Sequence, residues 1–204
     1  FPTLFSGMGT VSYINGPVGS LRVILSTLFY NPKKNIKNKD QQTKNSYEEK
    51  LIGKLVEKTI KYNNIIELKF NFKESLKFIP GQHVKLLVAH DEWRAYSIAK
   101  SDENNITLII DKRPGGFGAK YAQNLKINDI SIFRLPITDL IYHDSDKPIM
   151  FISTGTGVVP FFHMMDELKK SDIKKDIVFL FGCMNDSDNF IDDYMKEYED
   201  FFNI

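Results

Sequence analysis

The stretch EWRAYSIAK, residues 92–100, alternates like a strand, yet it sets an arginine, a tyrosine and a serine within four positions. In an extended backbone Arg94 and Tyr96 project to one face and Ser97 to the other. A guanidinium fork matches phosphate oxygens and a phenol ring covers an aromatic face, so the pair suits a ligand carrying both groups. An edge strand with a solvated arginine and a half-buried tyrosine explains the stretch equally well. A second cluster, RPGGFGAKYAQNL (113–125), places three glycines within four positions ahead of a helical pattern. Backbone N–H groups there can turn toward an anion at the helix N-terminus. A plain tight turn accounts for such glycines more readily, and the Gly-Lys-Ser/Thr of a P-loop does not follow. The third cluster, STGTGVVPF (153–161), lies between an apolar strand and a helix. Small residues at that junction form the crevice in which open α/β sheets bind nucleotides, although the six-residue dinucleotide fingerprint is not met.

The elements that must position these residues fall into two blocks. From residue 50, KLVEKTIKY, NIIELKFNF, HVKLLVAH and NITLIIDK alternate with period two between turn residues, which predicts an antiparallel all-β domain over 50–145. It closes near DISIFRLP (129–136). Over 146–204 the order changes to an apolar strand (PIMFIS), the TGTG turn, a helical pattern (VVPFFHMMDELKK), a second strand (DIVFLFG) and a second helical pattern (DNFIDDYMKEYEDFF). Strand, glycine turn, helix and strand begin a parallel α/β sheet. Two strands under two helices make a marginal core.

Composition narrows the partners. Lysine plus arginine (27) nearly balance aspartate plus glutamate (26), leaving a net charge of +1 and no global pull toward nucleic acid. One cysteine, Cys183, and four scattered histidines give neither a disulfide framework nor a metal-ligand cluster, and a reducing, cytoplasmic setting fits. Cys183 reads as a small buried residue. Residues 1–49 hold an apolar segment, whose unbroken run Val23–Tyr30 is too short to span a bilayer, and then the lysine-rich NPKKNIKNKDQQTKN (31–45). Membrane contact through residues 1–45, at the cytoplasmic face, is one reading of that order. A solvated linker is the reading the sequence favours. The initial phenylalanine and the final FFNI suggest a piece of a longer protein.

In their order, PGQ (80–82), RAYS (94–97), PGG (114–116) and GTGVVPF (155–161), set over an all-β and then an α/β block, resemble the ferredoxin–NADP⁺ reductase superfamily. The resemblance covers residues 50 to 204. It implies an antiparallel Greek-key β-barrel that binds FAD, followed by a Rossmann-like parallel α/β nucleotide domain that is incomplete at its C-terminal side. It also implies electron transfer between NADH or NADPH and an iron–sulfur or haem acceptor. Carried over from the family, Arg94 pairs with the FAD pyrophosphate, Tyr96 lies against the isoalloxazine or ribityl region, and Ser97 hydrogen-bonds near flavin N5. Tyr96 and Ser97 are thus the residues nearest the chemistry. The backbone of Gly115, Gly116, Phe117 and Gly118 holds the pyrophosphate. Gly155, Thr156 and Gly157 approach the nicotinamide nucleotide, with Pro160 in the first turn of the following helix.

Two departures bear on FAD affinity. Relatives usually have Ser or Thr where Ala119 stands, and LPITDL (135–140) replaces a common Gly-Pro-x-Gly turn. After the second strand of the α/β block, GCMNDSDNF has Met184 where relatives that prefer NADPH often place an arginine, with Asp186 and Asp188 close behind. A carboxylate accepts hydrogen bonds from ribose hydroxyls and repels a phosphate dianion, so NADH is the expected nucleotide. Alternatives to a complete reductase are an electron-transfer subunit of a larger complex and a non-catalytic remnant of the family.

Overall fold

Inward-pointing apolar residues at every second position build the larger part of the molecule. A computed structural model of the protein describes residues 50–62, 64–137, 140–143, 147–185 and 189–202. Six strands, β1 (Lys50–Lys61), β2 (Ile65–Phe72), β3 (His83–Ala89), β4 (Glu92–Ser101), β5 (Asn105–Asp111) and β6 (Ile130–Ile137), form an all-antiparallel barrel. It closes in the order β1-β2-β5-β4-β3-β6, so the connection from β2 to β3 passes β5 and β4, and β5 returns to pair with β2 in Greek-key fashion. Leu68, Phe70 and Phe72 point inward on β2 and alternate with Glu67, Lys69 and Asn71. Phe70 and Phe72 meet Phe133 edge-on, with ring centroids 5.0 and 5.3 Å apart. Gly53 makes room for this cluster: a Cβ there would lie 2.8 Å from the Phe133 ring.

Between β5 and β6 the chain forms helix α1 (Phe117–Asn124), which buries Ala119, Ala122 and Leu125 against the barrel. Strands β7 (Ile149–Thr154) and β8 (Ile177–Gly182) then pair in parallel, Ile149 opposite Ile177 and Thr154 opposite Gly182. They are joined through a 3-10 turn (Gly155–Val158) and helix α2 (Val159–Lys170). Helix α3 (Ile191–Met195) follows.

The two-stranded sheet does not have to support a core alone, contrary to the marginal core the sequence suggests. Its cluster, with Phe151, Phe162, Met165, Leu168, Tyr194 and Tyr198, takes in Ile65, Ala99 and Ile109 from the outer wall of the barrel. This explains why β5 is buried at five successive positions, from Ile106 to Ile110: its inner face fills the barrel and its outer face receives the α/β unit. The second helical pattern also folds differently from its sequence period. Regular helix covers only Ile191–Met195, and hydrogen-bonded turns carry the chain onward, as in Tyr198 N–H to Met195 O at 2.7 Å. Tyr198 is fully buried and its hydroxyl donates to Asp166 at 2.9 Å, so tertiary packing overrides the helical period there.

Candidate functional site

The first two motifs meet through a missing side chain. Gly118, in the first turn of α1, lies so near β4 that an added Cβ would stand 1.9 Å from the Tyr96 hydroxyl and 3.7 Å from Arg94 Cγ. Arg94 and Tyr96 share the face of β4 that continues into the barrel core at Ile98. Arg94 is exposed and donates from Nη1 to Glu92 Oε2 and to the Trp93 carbonyl, each at 2.8 Å. Tyr96 is half-buried. Desolvation raises its pKa and the Arg94 charge opposes that rise, so the phenol stays protonated.

The glycine loop is pinned from both sides. Gly115 takes a left-handed φ of +64°, which favours glycine, and its N–H donates to the Lys112 carbonyl at 3.1 Å. Arg113 grips Asp111 through Nε at 2.8 Å and through its backbone N–H at 2.9 Å. Burial opposes ionisation of Asp111, but these bonds hold its carboxyl below the usual carboxylate range. Gly116 caps α1 without a side-chain hydrogen bond, no acidic residue stands in the first turn, and a Cβ at Gly116 would meet open space. The positive end of the helix dipole is therefore not met by a side chain of its own first turn. At the other end Lys58 of β1 donates from Nζ to the carbonyls of Gln123 and Leu125, both at 2.7 Å. Desolvation lowers the Lys58 pKa, against the attraction of Asp129. Lys58 carries no sequence signal, because the carbonyls it meets lie more than sixty residues away.

The third motif lies at the carboxyl end of the parallel pair. Gly155 has φ +50° and open space where a Cβ would be, while Thr156 and Gly157 are half-buried in the 3-10 turn. Pro160 sits in the first turn of α2, where its missing N–H costs nothing. Beside it Ser153 is 2% exposed, and its hydroxyl has no hydrogen-bond partner among the described residues. The sequence quotes Ser153 within the motif but gives no reason to single it out. Cys183 is exposed, which corrects the buried reading: β8 ends at Gly182 and the cysteine has already left the sheet. Met184 is 86% exposed next to it, and Asp186 lies outside the described residues.

Strand β4 links the two ends of this arrangement. Its first half carries Arg94 and Tyr96 to α1, and its second half packs Ala99 against α2. Ser97 stands between them, half-buried and paired with His83 of β3. Val158 of the 3-10 turn is buried in the same cluster as Ala99 and Ile109. Ser101 Oγ meets His163 Nε2 of α2 at 2.9 Å, and Tyr194 donates to Glu67 at 2.6 Å. Burial takes the His163 pKa down to about 4; Lys170 adds to the shift and Glu167 opposes it. In the PGQ motif, Gly81 adopts φ +91° and approaches so closely that a Cβ would be 1.9 Å from the Leu140 carbonyl and 2.9 Å from Met164 of α2. Among the described residues, no group of three or more His, Cys, Asp and Glu could hold a metal ion.

Comparison with known proteins gives two matches along the chain. A family model for an oxidoreductase FAD-binding domain matches residues 53–142, and one for an oxidoreductase NAD-binding domain matches 151–201. Reductase component 1 of terephthalate 1,2-dioxygenase from Comamonas sp is 28% identical over 127 residues, covering 61% of this chain and 38% of the relative. A flavohemoprotein of Halalkalibacterium halodurans is 26% identical over 127 residues, covering 55% of this chain and 31% of the relative. The chain thus spans well under half the length of these curated relatives. The solved ferredoxin-NADP+ reductase of Plasmodium falciparum shares the fold, with a TM-score of 0.65 at 22% identity over 78% of this chain and 71% of that one.

Proposed function

The chain belongs to the ferredoxin–NADP⁺ reductase superfamily, and from that membership we propose that it carries electrons by way of FAD from a nicotinamide nucleotide to an iron–sulfur or haem acceptor. It contains FAD-binding and NAD-binding oxidoreductase domains. In this reading residues 50–145 form the flavin lobe and residues 146–204 the nucleotide lobe. The observation that carries it is the seat of Gly118 against Tyr96 and Arg94, which sets a helix N-terminus, a guanidinium and an aromatic ring around one space. Arg94 would share its fork between Glu92 and the pyrophosphate, and the N–H groups of Gly115, Gly116, Phe117 and Gly118 would hold the same anion. Tyr96 would cover the ribityl or ring region, and Ser97 would offer its hydroxyl to the reacting part of the ring. Ala119 contributes one hydrogen bond fewer than a hydroxyl residue would.

Bound FAD supplies hydride acceptance and onward electron transfer, so the protein needs no general acid or base. Its own residues orient the reactants and keep water out. Gly155, Thr156, Gly157 and Pro160 would place the nucleotide diphosphate, with the orphaned Ser153 hydroxyl as a further donor. NADH is preferred, because Met184 offers no charge to a 2′-phosphate and Asp186 would repel it. Lys196 is engaged by Asp193 at 3.0 Å. Acceptors of both kinds appear in the relatives' own names, ferredoxin in one and a flavohemoprotein in another. A cytoplasmic setting is part of the proposal, supported by the single cysteine, and cell fractionation tests it.

The test is an FAD titration of the chain and of its Arg94→Ala variant. Loss of the charge-assisted bond should weaken binding by ~1.5–3 kcal/mol, about ten- to a hundredfold. A chain that takes up no FAD would leave only the reading as a non-catalytic remnant, and equal affinities would remove Arg94 from the site.

A further inference from the structure

We propose that the outward face of β1 and β6 docks on an anionic lipid surface. On β1, Leu51, Gly53 and Leu55 turn toward the barrel interior, which leaves Lys50, Ile52, Lys54 and Val56 outside. On β6, Ser131 and Phe133 are the buried positions, which leaves Ile130 and Ile132 outside. The register makes these one patch: Ile52 lies opposite Ile132, and Lys54 opposite Ile130. Ile52 is 63% exposed, Ile130 58% and Val56 41%, with exposed Lys50 and Lys54 between them. The solvated side of an antiparallel sheet is ordinarily polar, so isoleucines paired across strands and interleaved with lysines call for a partner that takes both.

The chain immediately before β1 identifies that partner. Residues 31–45 carry five lysines against one aspartate and end five residues short of Lys50, where β1 begins. Ahead of them the apolar run Val23–Tyr30 is too short to cross a bilayer and long enough to lie in its interface. Residues 1–62 hold ten lysines and arginines against four acidic residues, although the whole chain is nearly neutral. A polybasic stretch beside an apolar one, continued by a face of exposed aliphatic and cationic side chains, gives the two signals that stable association with acidic headgroups requires. Arg134, opposite Lys50 on the same side of β6, holds its guanidinium 4.1 Å over the Trp93 ring and adds a cation at the edge of the patch. Strand β3 separates β6 from β4 in the barrel, so the face is distinct from Arg94 and Tyr96 and its role does not depend on the flavin reading.

The experiment is co-sedimentation of the whole chain with vesicles of phosphatidylcholine, with and without phosphatidylserine, at low and at high salt. Sedimentation is expected only with phosphatidylserine and should fall with salt. Lys50→Glu with Lys54→Glu, and separately Ile52→Thr with Ile130→Thr, should each lower the bound-to-free ratio at least about tenfold. Both pairs are exposed and threonine keeps the β-branch, so circular dichroism should be unchanged. Absence of binding by the unmodified chain would overturn the proposal. It would also be overturned if both face variants bound normally while serines at Lys33, Lys34, Lys37, Lys39 and Lys44 abolished binding, which would leave the linker acting alone. Loss of affinity for an acidic protein such as a ferredoxin in the face variants, with vesicle binding intact, would assign the face to a protein instead.

Discussion

Gly118 shows how one residue can decide a site. Alanine is the better helix former by about 1 kcal/mol, so a helix considered alone would gain from Gly118→Ala. The structure reverses that expectation, because the new Cβ would stand 1.9 Å from the Tyr96 hydroxyl and one of them must move. Gly118→Ala should lower stability by ~1–3 kcal/mol, as overpacking does, and weaken FAD binding with it. Adding Tyr96→Phe removes the nearest atom and should recover much of the stability, which chemical denaturation of the four proteins of the cycle would measure. Gly118 was legible in the sequence as part of a glycine cluster, but its reason was not: the sequence predicts phosphate contact, and the close partner is a phenol some twenty residues away. Cys183 misled in the opposite direction. Its burial was inferred from residue type, while its exposure follows from where β8 ends.

At the scale of elements, period-two alternation was enough to predict the strands, and the turn residues around them bounded the barrel. Helix α1 was also legible, but what holds it was not. Eight residues form a marginal helix, and α1 has no basic residue in its own last turn. Lys58, from a strand distant in sequence, fills that place on the carbonyls of Gln123 and Leu125. Lys58→Met should therefore cost about 1 kcal/mol of stability and, if the proposed site holds, weaken FAD binding several-fold, with Lys58→Arg intermediate. Thermal unfolding followed in parallel with FAD titration would check both parts. The short α3 was the poorest prediction at this scale, since a helical period in DNFIDDYMKEYEDFF gave way to the burial of Tyr198 and Phe202.

Across the whole molecule, the sequence resolved two blocks, but not that one barrel wall serves as the floor of the second. Ile65, Ala99 and Ile109 read as strand residues, and only the docked α/β unit explains their burial. His163 lies in that seam, fully buried and bonded to Ser101, with its pKa lowered from 6.5 to about 4. Since the native ring resists protonation that the unfolded chain accepts, its contribution is fully present above about pH 6.5 and is lost as pH falls toward 4, by up to about 3 kcal/mol. Urea midpoints at pH 5 and 7 should differ in the unmodified chain and converge in His163→Gln, which keeps a hydrogen-bonding side chain without the titration. In the proposed reading electron transfer would draw on both sides of the same seam, since Ser97 lies on β4 between the Arg94–Tyr96 pair and the strand's packing against α2. The most direct test is anaerobic stopped-flow reduction of the FAD-loaded chain. NADH should bleach the flavin absorbance faster than NADPH, and Ser97→Ala should slow that reduction at least tenfold while changing FAD affinity much less; no bleaching by either nucleotide, or an unchanged rate in the variant, would contradict the assignment.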